Sequence, residues 1–307
     1  MKRAVSISIG SSRRDKVAEI EIMGETVRIE RIGTNGDMEK AARLYQKLDG
    51  TVDAFGVGGT DLGMLVDGRW YPMHSVQSLV RFVRKTPVVD GNGLKATLEP
   101  KIKRVLTETL AHAIPTKTAL VTTAVDRWGM ARAAVESGFH VTFGDMIYSL
   151  GIPFPLHSIR SVKVMAAVLM PVVSRLPFTW VYPVGESQGK RSPKHTRFFT
   201  EASVVMGDCH YVYRNMPDDM RGKVVITNTT TPEDTETFRQ CGVRYLVTTT
   251  PVLDGRSFGT NMMEAALLAA AGRTEPVDYA NANEYLSWLE QIVSQLNMEP
   301  QVQELNA

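Results

Sequence analysis

The residues best suited to chemistry sit in short polar stretches that follow apolar ones. Gly59-Thr60-Asp61 closes one such stretch, and Asp90-Gly91-Asn92-Gly93-Leu94-Lys95 closes another. A lysine and an aspartate converging on a substrate hydroxyl can serve as general acid/base and positioning partner. Asp61, Asp90 and Lys95 are therefore candidate catalytic groups. Asp208-Cys209-His210 sets carboxylate, thiol and imidazole in a row, and His210 is a fourth candidate, as an acid/base or substrate-orienting group. A metal centre needs three or four converging ligands, and Asp208 and His210 supply two, so no metal is expected.

The stretch from Lys117 to Asp145 has the pattern of a nucleotide-binding unit: a strand, a tight turn from Ala124 to Trp128, a helix starting near Gly129, and a second strand ending at Asp145. In such units the free N–H groups of the helix start face a pyrophosphate, and an acidic residue about 20 positions on accepts the ribose hydroxyls. Thr122, Thr123, Arg127, Trp128, Gly129, Met130 and Asp145 form one half of the expected cofactor site. Asn228, Thr229 and Thr230 after one later strand, and Thr249 after the next, form the other half. Where G-x-G-x-x-G would stand, this chain has a single glycine, Gly129, with bulky Trp128 at the crowded turn and Arg127 to supply charge. The Asp145 carboxylate would repel a 2′-phosphate, which favours NAD over NADP. Arg256, Ser257 and Asn261, at the start of a further helix, suit a carboxylate or phosphate. Ser257 is not placed as a nucleophile elbow, because no strand runs into it and no Asp and His follow in order.

Thr227-Asn228-Thr229-Thr230 resembles the nicotinamide-side turn of the shikimate/quinate dehydrogenase and glutamyl-tRNA reductase group of Rossmann proteins, and Gly129-Met130-Ala131-Arg132-Ala133 resembles its helix start. The whole chain is similar to bacterial proteins labelled quinate 5-dehydrogenase. The resemblance implies an NAD(P)-dependent oxidoreductase acting on a small hydroxylated substrate in an interdomain cleft. The group's Asn-Val-Thr-x-Pro-x-Lys and Gly-x-Asn-Thr-Asp stretches are not intact here; Asp61 and Lys95 offer the same residue types in reversed order. The alternatives are a non-catalytic nucleotide- or anion-binding regulatory protein on a degenerate Rossmann fold, or a transferase using the same crevice for another nucleotide.

The elements that must position these residues are short apolar runs. Leu120–Val121, Val141–Phe143, Val204–Met206, Val224–Ile226 and Leu246–Val247 each finish in a tip of Thr, Gly, Asp or Asn. Continuous apolar runs signal strands buried on both faces of a parallel sheet, and their polar carboxyl ends line the crevice where open α/β sheets bind ligands. Helices are expected over 129–137, 158–174, 232–241 and 261–271, giving a doubly wound, mostly parallel, Rossmann-like α/β domain over 116–275. Ahead of it, 1–115 reads as a smaller α+β domain, with strands over 3–9, 17–23, 26–32 and 52–57, a hairpin at Asp67-Gly68, and helices over 38–48, 75–85 and 98–113. Residues 276–307 read as an amphipathic helix and a tail that frays. Residues 185–194 read as an exposed loop suited to act as a lid.

Lys+Arg number 35 against Asp+Glu at 33, a formal charge of +2. Such a chain has no field to gather nucleic acid, so the expected partner is a small-molecule substrate. Cys209 and Cys241 lack metal-ligand spacing and suit a reducing cytoplasm, and the amino terminus has no signal-peptide pattern. The apolar stretch 162–184 is interrupted by Lys163, Arg175 and prolines. Its uncharged run falls short of the roughly 18 to 20 residues needed to span a membrane. It reads as a buried helix, with peripheral membrane contact or homo-oligomer formation as the other readings.

Overall fold

The computed structural model describes residues 1–176, 191–250, 252–253 and 256–307, with only the backbone described at 252–253 and 256–257. In chain order the strands are β1 (Lys2–Ser8), β2 (Lys16–Ile22), β3 (Glu25–Gly33), β4 (Ala54–Gly58), β5 (Gly63–Val66), β6 (Arg69–Pro72), β7 (Val88–Val89), β8 (Thr118–Val121), β9 (His140–Phe143), β10 (Val204–Met206), β11 (Val224–Thr227), β12 (Tyr245–Thr248), β13 (Val252–Leu253), β14 (Arg256–Ser257) and β15 (Gln301–Glu304). The chain is mixed α/β with parallel-rich sheets. It divides into two compact units, each assembled from three separate stretches.

The first unit comprises Met1–Lys95, Met170–Ser187 and Leu253–Leu296. Its sheet runs β2-β3-β1-β4-β7. β1 lies parallel to β3 and β4, β4 lies parallel to β7, and β2 alone is antiparallel, joined to β3 by a tight turn. Met23 and Gly24 both have positive φ there, the conformation that matches hairpin twist. The region expected as α+β is thus mostly parallel, because the helix Met38–Leu48 makes a crossover from β3 to β4. Asp37 caps that helix by accepting the N–H of Lys40. Every residue of β4 is buried, whereas β2 alternates buried and exposed as an edge strand should. The helix Thr260–Ala270 packs on β1 and β4, and all residues from Met262 to Ala270 are buried. Gly56 permits that approach, since a Cβ there would lie 2.8 Å from the carbonyl oxygen of Asn261.

The second unit comprises Ala96–Leu169, Gln188–Val252 and Asn297–Ala307. Its sheet runs β15-β12-β11-β10-β8-β9, with the five strands from β12 to β9 parallel and β15 antiparallel to β12. The five runs with polar tips are these five parallel strands. Their order, with β9 to one side of β8 and β10 to the other, is the flavodoxin-like 2-1-3-4-5 arrangement rather than the six-stranded dinucleotide order. The tail departs from expectation: residues 301–304 do not fray but pair with Tyr245–Thr248. A parallel sheet edge otherwise presents unpaired backbone groups.

Two helices are broken where continuous ones were expected. Over 75–85 there is only a turn of helix, His74–Gln77, and a 3₁₀ turn, Ser78–Val80. Over 98–113 a 3₁₀ turn at Glu99–Lys101 and a π turn at Val105–Thr109 interrupt the helix; Pro100 lacks the N–H that an α-helical register would use. Residues 185–190 of the expected lid, and 177–184 of the apolar stretch, lie outside the described residues. Among the described residues no helix is long and apolar enough to cross a membrane.

Candidate functional site

In the second unit the strand order reverses between β8 and β10, and the crevice outside their carboxyl ends is where such sheets take ligands. The crevice begins as a tightly closed turn. Thr122 is fully buried and donates its backbone N–H to the carbonyl of Met206 at 2.9 Å. Gly207 has φ of +150°, and a Cβ there would lie 2.0 Å from Thr122 Oγ1. Only glycine allows the two chain segments to pass so closely.

Arg127 is the hub of the site. Its Nη1 lies 3.2 Å from Glu99 Oε1 and its Nη2 lies 2.6 Å from Asp208 Oδ2. Nε approaches Asp126 Oδ2 at 3.1 Å, an ion pair too poorly aligned to count as a hydrogen bond. Glu99 also takes up the start of the helix Trp128–Glu136: its Oε2 accepts the backbone N–H of Met130 at 3.3 Å. A Cβ on Gly129 would stand 2.6 Å from Glu99 Cβ. Asp208 Oδ2 further accepts from Asn228 Nδ2 at 3.0 Å, and Asn228 Oδ1 accepts from Cys209 N and Thr227 Oγ1. Asp208 Oδ1 accepts the N–H of His210 and so caps the helix Cys209–Asn215. Among the described residues one guanidinium thus stands among three carboxylates, and the turn carries more acid than base.

Asp145 is buried, and its Oδ1 accepts the N–H of Val125 at 2.9 Å. Burial pushes its carboxyl up to about 6, against the backbone donors that favour the charged form. Its Oδ2, the hydroxyl of Thr123 and the indole N–H of Trp128 are buried with no hydrogen-bond partner among the described residues. Trp128 is otherwise a core side chain. Asn228, Thr229 and Thr230 are half-buried, Thr249 is buried, and the His210 side chain is exposed. Thr249 N donates to the carbonyl of Thr227 at 2.9 Å, which ties the β11 and β12 tips together.

In the first unit, the loops after β4 and β7 bring three of the sequence candidates together. Lys95 Nζ lies 2.7 Å from Asp61 Oδ1, both side chains largely buried. Asp90 joins the same loops, accepting the N–H of Leu62 at 2.7 Å on Oδ2 and the N–H of Asn92 at 3.0 Å on Oδ1. Asn261 donates from Nδ2 to Ser6 Oγ at 2.7 Å. The side chains of Arg256 and Ser257 lie outside the described residues; their backbone forms β14, paired with β13.

Sequence reasoning missed two buried carboxylates. Glu99 precedes a proline and carries no sequence signal. Glu264 does: it is the single charge in the apolar run Met262–Ala270. The hydroxyls of Tyr279 and Tyr285 both donate to Glu264 Oε1 at 2.7 Å, and the N–H of Leu94 donates to Oε2 at 3.0 Å. Burial nonetheless raises the Glu264 carboxyl to about 7. Among the described residues no group of three or more His, Cys, Asp or Glu could hold a metal ion.

Fold and site together define an α/β protein with an acidic, internally bonded switch-point crevice. The chain belongs to the family described as Domain of unknown function (DUF8754), whose model matches residues 93–305. A second model, Domain of unknown function (DUF8753), matches residues 3–90. No curated protein matches the chain. Among solved structures it is similar to GanP, a glucose-galactose binding protein from Geobacillus stearothermophilus, at 10% identity over 99% of this chain and 97% of that one, with a TM-score of 0.36. It is similar to a galactofuranose binding protein at 12% identity over 96% and 99%, TM-score 0.35. It is also similar to a periplasmic ribose ABC transporter protein from Conexibacter woesei at 9% identity over 94% and 96%, TM-score 0.37. Scores this low leave the ligand to be argued from this chain's own residues.

The geometry of the turn after β8 corrects the expectation of a shikimate dehydrogenase-like oxidoreductase using NAD. The physical obstacle is Glu99: its carboxylate already occupies the helix start where a pyrophosphate would bind, and Asp126 and Asp208 add like charge around it. Arg127, expected to attract the cofactor, is committed to those three carboxylates. Asp145, expected to hold the ribose, is buried and bonded to its own turn. The same acidity removes the alternatives of a nucleotide- or anion-binding regulator and of a nucleotide-dependent transferase.

Proposed function

We propose that this chain binds a small polyhydroxylated ligand, uncharged or cationic, at the carboxyl ends of β8, β10 and β11. The observation that carries the reading is the acidic network in which Asp208 and Asn228 meet Arg127. A hydroxyl both donates and accepts, so carboxylate and carboxamide groups are its natural partners. An anionic ligand would meet like charge from Asp208 and its neighbouring carboxylates there. The partially exposed edges of Asp208, Asn228, Thr229 and Thr230 supply acceptors and donors. The buried Thr123 hydroxyl and Asp145 Oδ2, each without a partner among the described residues, add one of each. Sugars, the class named for the similar structures, are the first ligands to test. Cys209 and Cys241, both buried free thiols, support a reducing, cytoplasmic setting.

The test is calorimetric titration of the full chain with glucose, galactose, ribose and glucosamine, with NAD as the comparison. Saturable binding of a sugar that weakens about ten-fold or more in Asp208→Asn is the expected result; that variant keeps the helix cap and removes the charge. Saturation by none of the sugars would sink the reading.

A second reading concerns the first unit and rests on the Asp61–Lys95 pair, 2.7 Å apart with Asp90 fixing the same loops. In it these groups exchange a proton with a bound hydroxyl, without a nicotinamide. Lys95→Met that leaves ligand affinity intact and abolishes turnover would favour it; unchanged turnover would remove it.

A further inference from the structure

The helix Ile159–Val173 is apolar on two opposite faces. Val162, Ala166 and Met170 are buried. Val164, Val168 and Val172 lie two positions on, about 200° around the helix, and are 56%, 65% and 62% exposed. Just before the helix, Leu150, Ile152 and Phe154 are exposed as well. Of the eleven exposed large hydrophobic residues among those described, these six fall within 150–172. Scattered exposed apolar residues need no explanation, but Val164, Val168 and Val172, four residues apart on one helix, form a continuous stripe of the kind that marks an interaction surface.

Charge selects the partner. From Leu150 to Leu176 the sequence has no Asp or Glu, whereas Arg160, Lys163 and Arg175 are exposed at the two ends of the valine stripe. A second copy of the chain is a poor occupant. A two-fold antiparallel pairing centred on Val168 sets Val164 against Val172, but it also draws Arg160 of each copy toward Arg175 of the other. A parallel pairing sets each cation against itself. Within residues 150–176 neither arrangement supplies an acid to relieve the repulsion. A surface that is apolar along its middle and cationic at its ends matches an anionic lipid interface, where side chains enter the acyl boundary and Lys or Arg meets the head groups.

We propose that Leu150–Phe154 and the outer face of the helix Ile159–Val173 dock this protein on an anionic bilayer surface, lying in the interface rather than crossing it. The helix is about 22 Å long, too short to span and long enough to lie flat.

The experiment is co-sedimentation of the full chain with vesicles of phosphatidylcholine alone and with about 30 mol% phosphatidylserine. The expected result is sedimentation with the anionic vesicles, weakened by salt and lowered about five-fold by each of Arg160→Gln and Arg175→Gln. Val168→Asp and Phe154→Asp should abolish it while leaving the thermal unfolding of the chain unchanged, because both positions are exposed. Equal or absent sedimentation with the two vesicle types would overturn the proposal. So would insensitivity to all four substitutions, or a concentration-dependent dimer in solution that Val168→Asp dissociates, which would make a second copy the occupant.

Discussion

Glu99 and Arg127 form an ion pair 3.2 Å apart in which each side chain is less than 5% exposed. The pair sits at the turn after β8, and it decides both what that turn excludes and how it is held. Breaking a buried pair by removing one partner leaves an uncompensated charge. Glu99→Ala should therefore destabilise the second unit by about 3 to 5 kcal/mol, read as a lowered urea midpoint. Glu99→Gln should cost less, because a carboxamide oxygen still accepts from Met130. A neutral effect for Glu99→Ala would mean that Asp126 and Asp208 suffice for Arg127.

Stability should depend on pH through Glu264. Its folded value, about 7 against an ordinary 4.5, means that the folded state holds the proton more tightly than the unfolded chain. The contribution of Glu264 is then fully present below about pH 4.5, falls as pH rises toward about 7, and is gone above it, a total of about 3 kcal/mol. Asp145, raised to about 6, acts in the same direction at somewhat lower pH. Denaturant midpoints measured across this range should decline with pH in the native chain and decline less, and over a lower pH range, in Glu264→Gln.

Gly207→Ala should be among the most damaging single substitutions. It combines a positive φ with a Cβ 2.0 Å from Thr122 Oγ1, at a cost of about 2 to 4 kcal/mol. Adding Thr122→Ala removes the hydroxyl and should recover part of the loss, leaving the backbone term. Thermal unfolding of the single and double variants separates the two contributions.

Removal of residues 301–307 should convert the second unit to an aggregating form. It uncovers the edge of β12, and it removes the buried Leu305 and the bonds from Asn306 Nδ2 to the carbonyls of Arg239 and Val243. Light scattering of the truncated chain should rise with time and concentration, as an unpaired strand edge requires. A truncated chain that stays monodisperse would show that β15 is dispensable cover.

The five strands of the second sheet were legible because being buried on both faces leaves a continuous apolar run, and the polar tips marked their carboxyl ends. Asp61, Asp90 and Lys95 were legible as residue types, but only the pairing of β4 with β7 brings their loops together. Glu99 could not be read at all: it acts through a helix start about 30 residues further along the chain, and no local pattern announces such a contact. The dinucleotide expectation failed for that reason, since the turn's anion-binding N–H had already been given an internal anion. The tail was misread because Gln301–Glu304 is polar and exposed, and its strand exists only through its partner.

The hydrogen bond from Asn261 to Ser6 joins residues 255 positions apart, and the helix that carries Asn261 covers the strands made first. Emerging from a ribosome, β1, β3 and β4 must wait for almost the whole chain before their apolar face is closed. Folding from the amino terminus onward is therefore unavailable to the first unit, whose contact order is high and whose assembly should be slow. During synthesis the exposed face of this sheet is a natural place for a chaperone to hold.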